Sequence, residues 1–327
     1  MDLISVAETA LRSAFGPQAA FYALLAIGLN VHYGYTGLLN FGQVGFMLVG
    51  AYGVGISVAT FGLSLWAGVG VAVILGIGLA LLLGAPTLRL RSDYFAITTI
   101  AIAEVLRLLV RSSPATDLTG GPFGLQGVAV DFYAINPLSA GLSLGPLSYP
   151  VAVTWSLLVT WTLVVLTTVL VALLMRSPWG RVLRAIREDE DAARSLGKNV
   201  FSYKMQSLIL GGVIGAFGGA MYAIAGSTVN ADVFRPQVTF YAYAVLILGG
   251  AASRLGPIIG AVIFWFLFSF VQGFVRQAQS ADLLPEFFSS GAIGGAALTL
   301  TGIGLMLLVV FRPQGIFGNK RELALDA

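Results

Sequence analysis

The chain has 327 residues, of which 57% are hydrophobic and 10% charged, with a net charge of +3 and a mean hydropathy of +0.89. Soluble domains carry about 25% charged residues, so most of this chain is built for a solvent that rejects charge. The absence of cysteine excludes disulfides, thiolate catalysis and zinc–thiolate sites, and a lone histidine, His32, excludes a multi-histidine metal centre.

Residues 1–16 carry Asp2 and Glu8 in a scattered apolar pattern. That is no cleavable signal peptide, which needs a basic start and an apolar middle; an interfacial amphipathic helix is expected instead. About 20 apolar residues cross the hydrocarbon as a helix. The candidates are Gln18–Tyr33, Phe41–Thr60, Ser64–Ala85, Tyr94–Val110, Val151–Met175, Ser202–Ala225, Phe240–Leu248, Ile258–Val275 and Gly291–Phe311. The expected fold is an all-α polytopic bundle of eight to ten spans, forming a single membrane domain over 1–327.

Two of these segments are interrupted. Gly34, Gly37, Gly42 and Gly45 break the first, and the short Phe240–Leu248 run ends at Gly249 and Gly250. Paired glycine-broken segments point to a transport site near the midplane, which makes Gly249 and Gly250 pore or gate candidates. Asn40, Gln43 and His32 flank the first break. Their side chains either satisfy the backbone groups freed there or line the solute path.

Glu104 and Arg107 lie three residues apart in the fourth span, close enough to pair on one helical face. They form either a polar gate or a structural ion pair near the outer end. The loop 112–149 holds Asp117 and Asp131 but no Lys or Arg. It is long for a connector, so it either simply joins spans or faces a receptor.

The stretch 177–200, SPWGRVLRAIREDEDAARSLGKNV, is strongly charged. Val182, Leu183, Ile186, Ala193 and Leu196 share one helical face, with charges largely on the other, and Gly197 stops the helix. Either an interfacial helix or a docking helix for a cytoplasmic partner fits. Further on, Gly211, Gly215 and Gly219 recur every four residues, a flat face for close helix packing; Gly291 and Gly295 form a weaker second case. The basic residues of Arg176–Lys204, Arg89 and Arg91, and Arg312, Lys320 and Arg321 all fall on one side of an alternating path of spans. That side is cytoplasmic by the positive-inside bias, which leaves 112–149 outside. Basic residues in short clusters between apolar runs give no sign of nucleic-acid binding.

Several stretches resemble the permeases of branched-chain amino acid ABC importers. Gly180–Gly197 resembles their coupling-helix loop, and GYTGLLNFGQVGFMLVGAY at Gly34–Tyr52 their broken second helix. Leu88–Arg107 and TGGPFG at Thr119–Gly124 are similar to the LivM-like half of the family. So are Phe234–Ala261 and FRPQGIFG at Phe311–Gly318. Ala251-Ala252 departs from the glycine-richer turn expected there.

The resemblance implies the permease subunit of an ATP-driven importer in a bacterial cytoplasmic membrane. The implied partners are a second, LivH-like permease, two ABC ATPases and an extracytoplasmic binding protein, with lipid around the spans. ATP and Mg would bind the ATPases, so this chain holds no cofactor and performs no covalent chemistry. No G-x-x-x-x-G-K-[ST] occurs in it. Docking to the ATPases would fall to Ala185, Arg187, Glu188, Glu190, Ala192, Ala193, Leu196 and Gly197. The implied substrates are branched-chain or other hydrophobic amino acids, with urea or short amides as the rival. An ion-coupled secondary transporter, relying on Glu104, is the alternative from a different class.

Overall fold

In the computed structural model, residues 3–280 other than 91 and 146 are described, with seven positions beyond: 295, 299, 302, 303, 306, 315 and 316. The bundle is helical because its apolar runs must satisfy their own backbone polar groups in lipid. In chain order the helices are α1 (Leu3–Phe15), α2 (Pro17–Leu29), α3 (Gln43–Gly55), α4 (Leu65–Thr87), α5 (Ser92–Arg111), α6 (Thr116–Thr119) and α7 (Val130–Ala134). There follow α8 (Val151–Arg176), α9 (Pro178–Glu188), α10 (Glu190–Ser195), α11 (Val200–Gly226), α12 (Gln237–Gly249) and α13 (Gly256–Ser280). Asn30–Tyr35 and Ile56–Thr60 continue α2 and α3 as wider π-helical turns.

Five described helices are long and apolar enough to cross a membrane, and the pair α1 and α2, bent by 44°, adds a sixth. The remainder of the expected eight to ten has physical reasons. Helix α5 is long enough, but Asp93, Glu104, Arg107 and Arg111 dilute its apolar character. Helix α12 has 13 residues and is too short alone. The expected span Gly291–Phe311 lies outside the described residues apart from isolated positions, as do Arg91, the tail basic residues and most of Phe311–Gly318.

Helices α3 and α11 form the interior: 72% and 67% of their span residues are buried, against 33% in α8 and 28% in α13. The latter two therefore lie outside. The expected N-terminal helix is present, but it packs against α13: Val6 is buried, a Cβ on Gly273 would crowd it, and Ser13 Oγ hydrogen-bonds Ser269 Oγ at 2.9 Å.

The loop 112–149 is structured. Strand β1 (Leu125–Gln126) pairs antiparallel with β4 (Thr228–Val229), with Leu125 opposite Val229. Strands β2 (Leu142–Leu144) and β3 (Leu147–Tyr149) form a hairpin. Glycines at positive φ, Gly120, Gly121 and Gly124, turn the chain ahead of β1.

Candidate functional site

Between the π-helical turn and α3 the chain leaves helical geometry at Gly37, where φ is +75°. Backbone freed in an apolar interior must find partners, and a set of buried side chains supplies them. The Asn40 amide nitrogen donates to His32 Nδ1 at 3.1 Å and to Gln43 Oε1 at 3.2 Å, while Asn40 Oδ1 accepts from Gly42 N at 2.9 Å. His32 Nε2 lies 3.1 Å from the Leu208 carbonyl. A carbonyl only accepts and the amide donates, so the imidazole is neutral with its proton on Nε2. Gln43 Nε2 donates to the Gly211 carbonyl at 3.2 Å. The hydroxyls of Thr99 and Thr239 accept from Phe41 N and Val44 N, and Tyr243 donates to the Asn40 carbonyl. Asn40, Gln43 and His32 are fully buried; Asn40 bonds backbone at the break, and His32 and Gln43 link it to carbonyls of α11.

The second break touches the first. Gly250 adopts φ +105° and Ala252 φ +59°. Asn30, inside the π-helical turn, clamps this loop: its amide donates to Ser253 O at 2.9 Å and its oxygen accepts from Ala252 N at 2.8 Å. Gly34 has no room for a side chain, since a Cβ there would meet Asn30 Oδ1 and sit 2.6 Å from Ala252 N. Gly249 lies against Gly256, and Ile316 N returns to the Leu248 carbonyl at 3.0 Å, bringing Gly315 against Gly250.

The glycine face of α11 is covered from within the chain. A Cβ on Gly211 would strike the Gly28 carbonyl and His32, one on Gly215 would come within 2.6 Å of Gln43 Nε2, and one on Gly219 would strike the Met47 carbonyl. Close approach of α2 and α3 to α11 is what lets Gln43 and His32 reach α11 carbonyls.

The charged stretch 177–200 differs from the expected continuous helix. It forms two helices joined at an elbow, where Asp189 is extended (φ −151°, ψ 106°) and its carboxylate accepts from Asp191 N and Ala192 N, both at 2.9 Å. This cap starts α10 in a new direction. Leu183, Ile186 and Ala193 are buried as the apolar stripe required, but Leu196 is 79% exposed because the elbow rotates it off that stripe. Ala185, Glu188, Ala192 and Gly197 are also exposed. Arg187 turns inward: its Nη1 donates to the Gly34 carbonyl, and its side chain covers Gly37. Glu190 accepts from Arg194 at 2.8 Å and from Lys204.

A glycine-broken helix, a second break clamped to it, and a charged elbow holding the joint are the arrangement expected of a transport permease. Residues 14–311 match the family described as branched-chain amino acid transport system / permease component. The chain belongs to that family. The permease is 30% identical over 319 residues to the high-affinity branched-chain amino acid transport system permease protein LivM of Escherichia coli K12, covering 92% of this chain and 68% of that one. It is 25% identical over 336 residues to the probable LivM of Methanocaldococcus jannaschii, covering 91% of each. It is 29% identical over 244 residues to the nucleoside ABC transporter permease protein NupC of Lactococcus lactis, covering 70% of this chain and 71% of that one. The permease is thus a multi-pass protein of the cytoplasmic membrane and a transport component.

Near the C-terminal end of α5, Arg107 grips Glu104 through two nitrogens, at 2.9 and 2.5 Å, and reaches Asp232 at 3.4 Å. Arg111 joins Asp232 at 3.2 Å. The pair expected at i and i+3 is therefore part of a cluster tying α5 to the turn before α12.

Sequence reasoning missed Asp232 because its partners lie some 125 positions away. It also missed Asn30, although an amide two residues before His32 in an apolar run was a visible signal.

Proposed function

We propose that the permease is one of two membrane subunits of an ATP-driven importer for branched-chain and other hydrophobic amino acids. It would work with a related permease, two ATPases that bind ATP and Mg, and an extracytoplasmic binding protein. The single observation that carries this reading is the bond from Arg187 in the elbow to the Gly34 carbonyl at the break.

In this reading the exposed Ala185, Glu188, Ala192 and Leu196 face an ATPase. Closure of the ATPases displaces the elbow. Arg187 then pulls on the π-helical turn at Gly34, and Asn30 passes the displacement to the Gly249–Ser253 loop. A π-helical turn is a low-cost place for a helix to change register. Asn40 and Gln43 hold the joint together rather than bind solute, and Glu104 and Arg107 gate the outer end by making and breaking contact with Asp232. Nucleosides are the second substrate class to try, because NupC of Lactococcus lactis and the guanosine permease NupQ of Bacillus subtilis are relatives.

The test is uptake of labelled leucine, with guanosine in a parallel arm, into vesicles holding the permease and its partners at zero ion gradient. Leucine uptake that needs both ATP and the binding protein supports the proposal. Uptake that ignores ATP and follows a proton or sodium gradient would overturn it.

A further inference from the structure

On the side that the basic residues mark as cytoplasmic, a cavity of about 550 Å³ lies between the α4–α5 link, α10 and the start of α11. Four cations line it, Arg89, Arg194, Lys198 and Lys204, against a single carboxylate, Glu190. That carboxylate already pairs within the cluster: one oxygen accepts from Arg194 and the other from Lys204. Arg89 and Lys198 have no carboxylate partner among the described residues. The Arg89 guanidinium is instead held over the Phe201 ring, 5.7 Å from its centroid, a cation–π contact that leaves its hydrogen-bond donors unused.

The cavity lies at the foot of an apolar stripe. Along α4, Leu75, Gly78, Leu82 and Pro86 are exposed at three- and four-residue spacing, and the stripe ends at the exposed Arg89 and Leu90. A cationic pocket at the end of an exposed apolar stripe matches a molecule with acyl chains on one side and an anionic head on the other. The cytoplasmic leaflet carries anionic lipids, and basic pockets between spans on that side hold their headgroups.

We propose that this cavity binds the phosphate group of an anionic phospholipid, with Arg89 and Lys198 as its principal ligands and the acyl chains along Leu82 and Leu75. The site holds α10 against α11 from the lipid side. It does not depend on which solute the permease carries.

The test uses the delipidated full-length permease, titrated with phosphatidylglycerol, phosphatidylethanolamine or inorganic phosphate and read by native mass spectrometry. The expected result is selective retention of phosphatidylglycerol. Arg89→Gln with Lys198→Gln should weaken that binding about thirtyfold, from the usual worth of two interfacial cations. Arg181→Gln, on the same face but outside the cavity, should leave it unchanged. If the double variant fails to fold, the exposed Lys198→Gln alone should weaken binding about fivefold. Displacement of the lipid by phosphate supports a phosphate site. Saturable binding of phosphate without lipid, lost in the same variants, assigns the pocket to a soluble phosphate. Equal binding of phosphatidylethanolamine, or full phosphatidylglycerol affinity in the variants, overturns the proposal. So does a double variant that keeps its lipid and loses only ATPase association, which would make the cluster a protein contact.

Discussion

The permease has two polar regions of opposite construction. The joint around Asn30, His32, Asn40 and Gln43 is buried and uncharged, and its groups bond the backbone of α11 and of the turn between α12 and α13. The elbow at Asp189 is charged and mostly exposed, and its pairs, such as Arg194–Glu190, sit in water. Buried unpaired polar groups are costly, so the joint tolerates few arrangements. Exposed pairs are worth little, so the elbow rearranges at small cost. The proposed coupling uses both, a stiff element to be moved and a soft one to receive the push. Arg187 connects them.

Substitutions should separate the two regions. The largest effect is expected where the joint depends on backbone approach. Gly219→Val drives a side chain into the Met47 carbonyl and should cost about 3 kcal/mol or more, read as loss of monodisperse protein on size exclusion. Next, Asn40→Ala leaves Gly42 N, His32 Nδ1 and Gln43 Oε1 without their partner. It should cost roughly 2 kcal/mol, measured as a lowered midpoint of thermal unfolding; an unchanged midpoint would mean that the joint is not stiff.

The turn at the second break offers a smaller gain. Ala252 sits at φ +59°, where a Cβ costs about 1 kcal/mol. Ala252→Gly should raise stability by about 0.5 kcal/mol after the added freedom of the unfolded chain is offset. At the elbow, Arg194→Ala removes two exposed pairs and should change thermal stability by less than about 0.5 kcal/mol. A large loss there would erase the distinction between the regions.

Much of this arrangement was legible in the sequence, for identifiable reasons. Apolar runs gave the long spans, and glycine at fixed positions marked both breaks and the flat face of α11. The spacing of Leu183, Ile186 and Ala193 showed which side of the charged segment is buried. What was hidden depended on distant partners. Nothing local in Arg187 says that it turns inward to Gly34, 153 positions away. The elbow was hidden because Asp189 sits in a run of acids, any of which could cap a new helix, so the apolar spacing carried on to Leu196 as though the helix were continuous. That Asn30 joins the two breaks requires knowing that Ala252 and Ser253 lie beside it.

In the proposed importer, Arg187 transmits elbow motion to the break. The most direct test compares leucine uptake and ATP hydrolysis in the reconstituted importer carrying Arg187→Ala or Arg187→Lys. If Arg187 carries the motion, Arg187→Ala hydrolyses ATP at close to the normal rate but moves little leucine, and Arg187→Lys restores part of the uptake because its ammonium still reaches a carbonyl. Uptake per ATP unchanged in Arg187→Ala would contradict the claim and leave the elbow with no mechanical link through that residue.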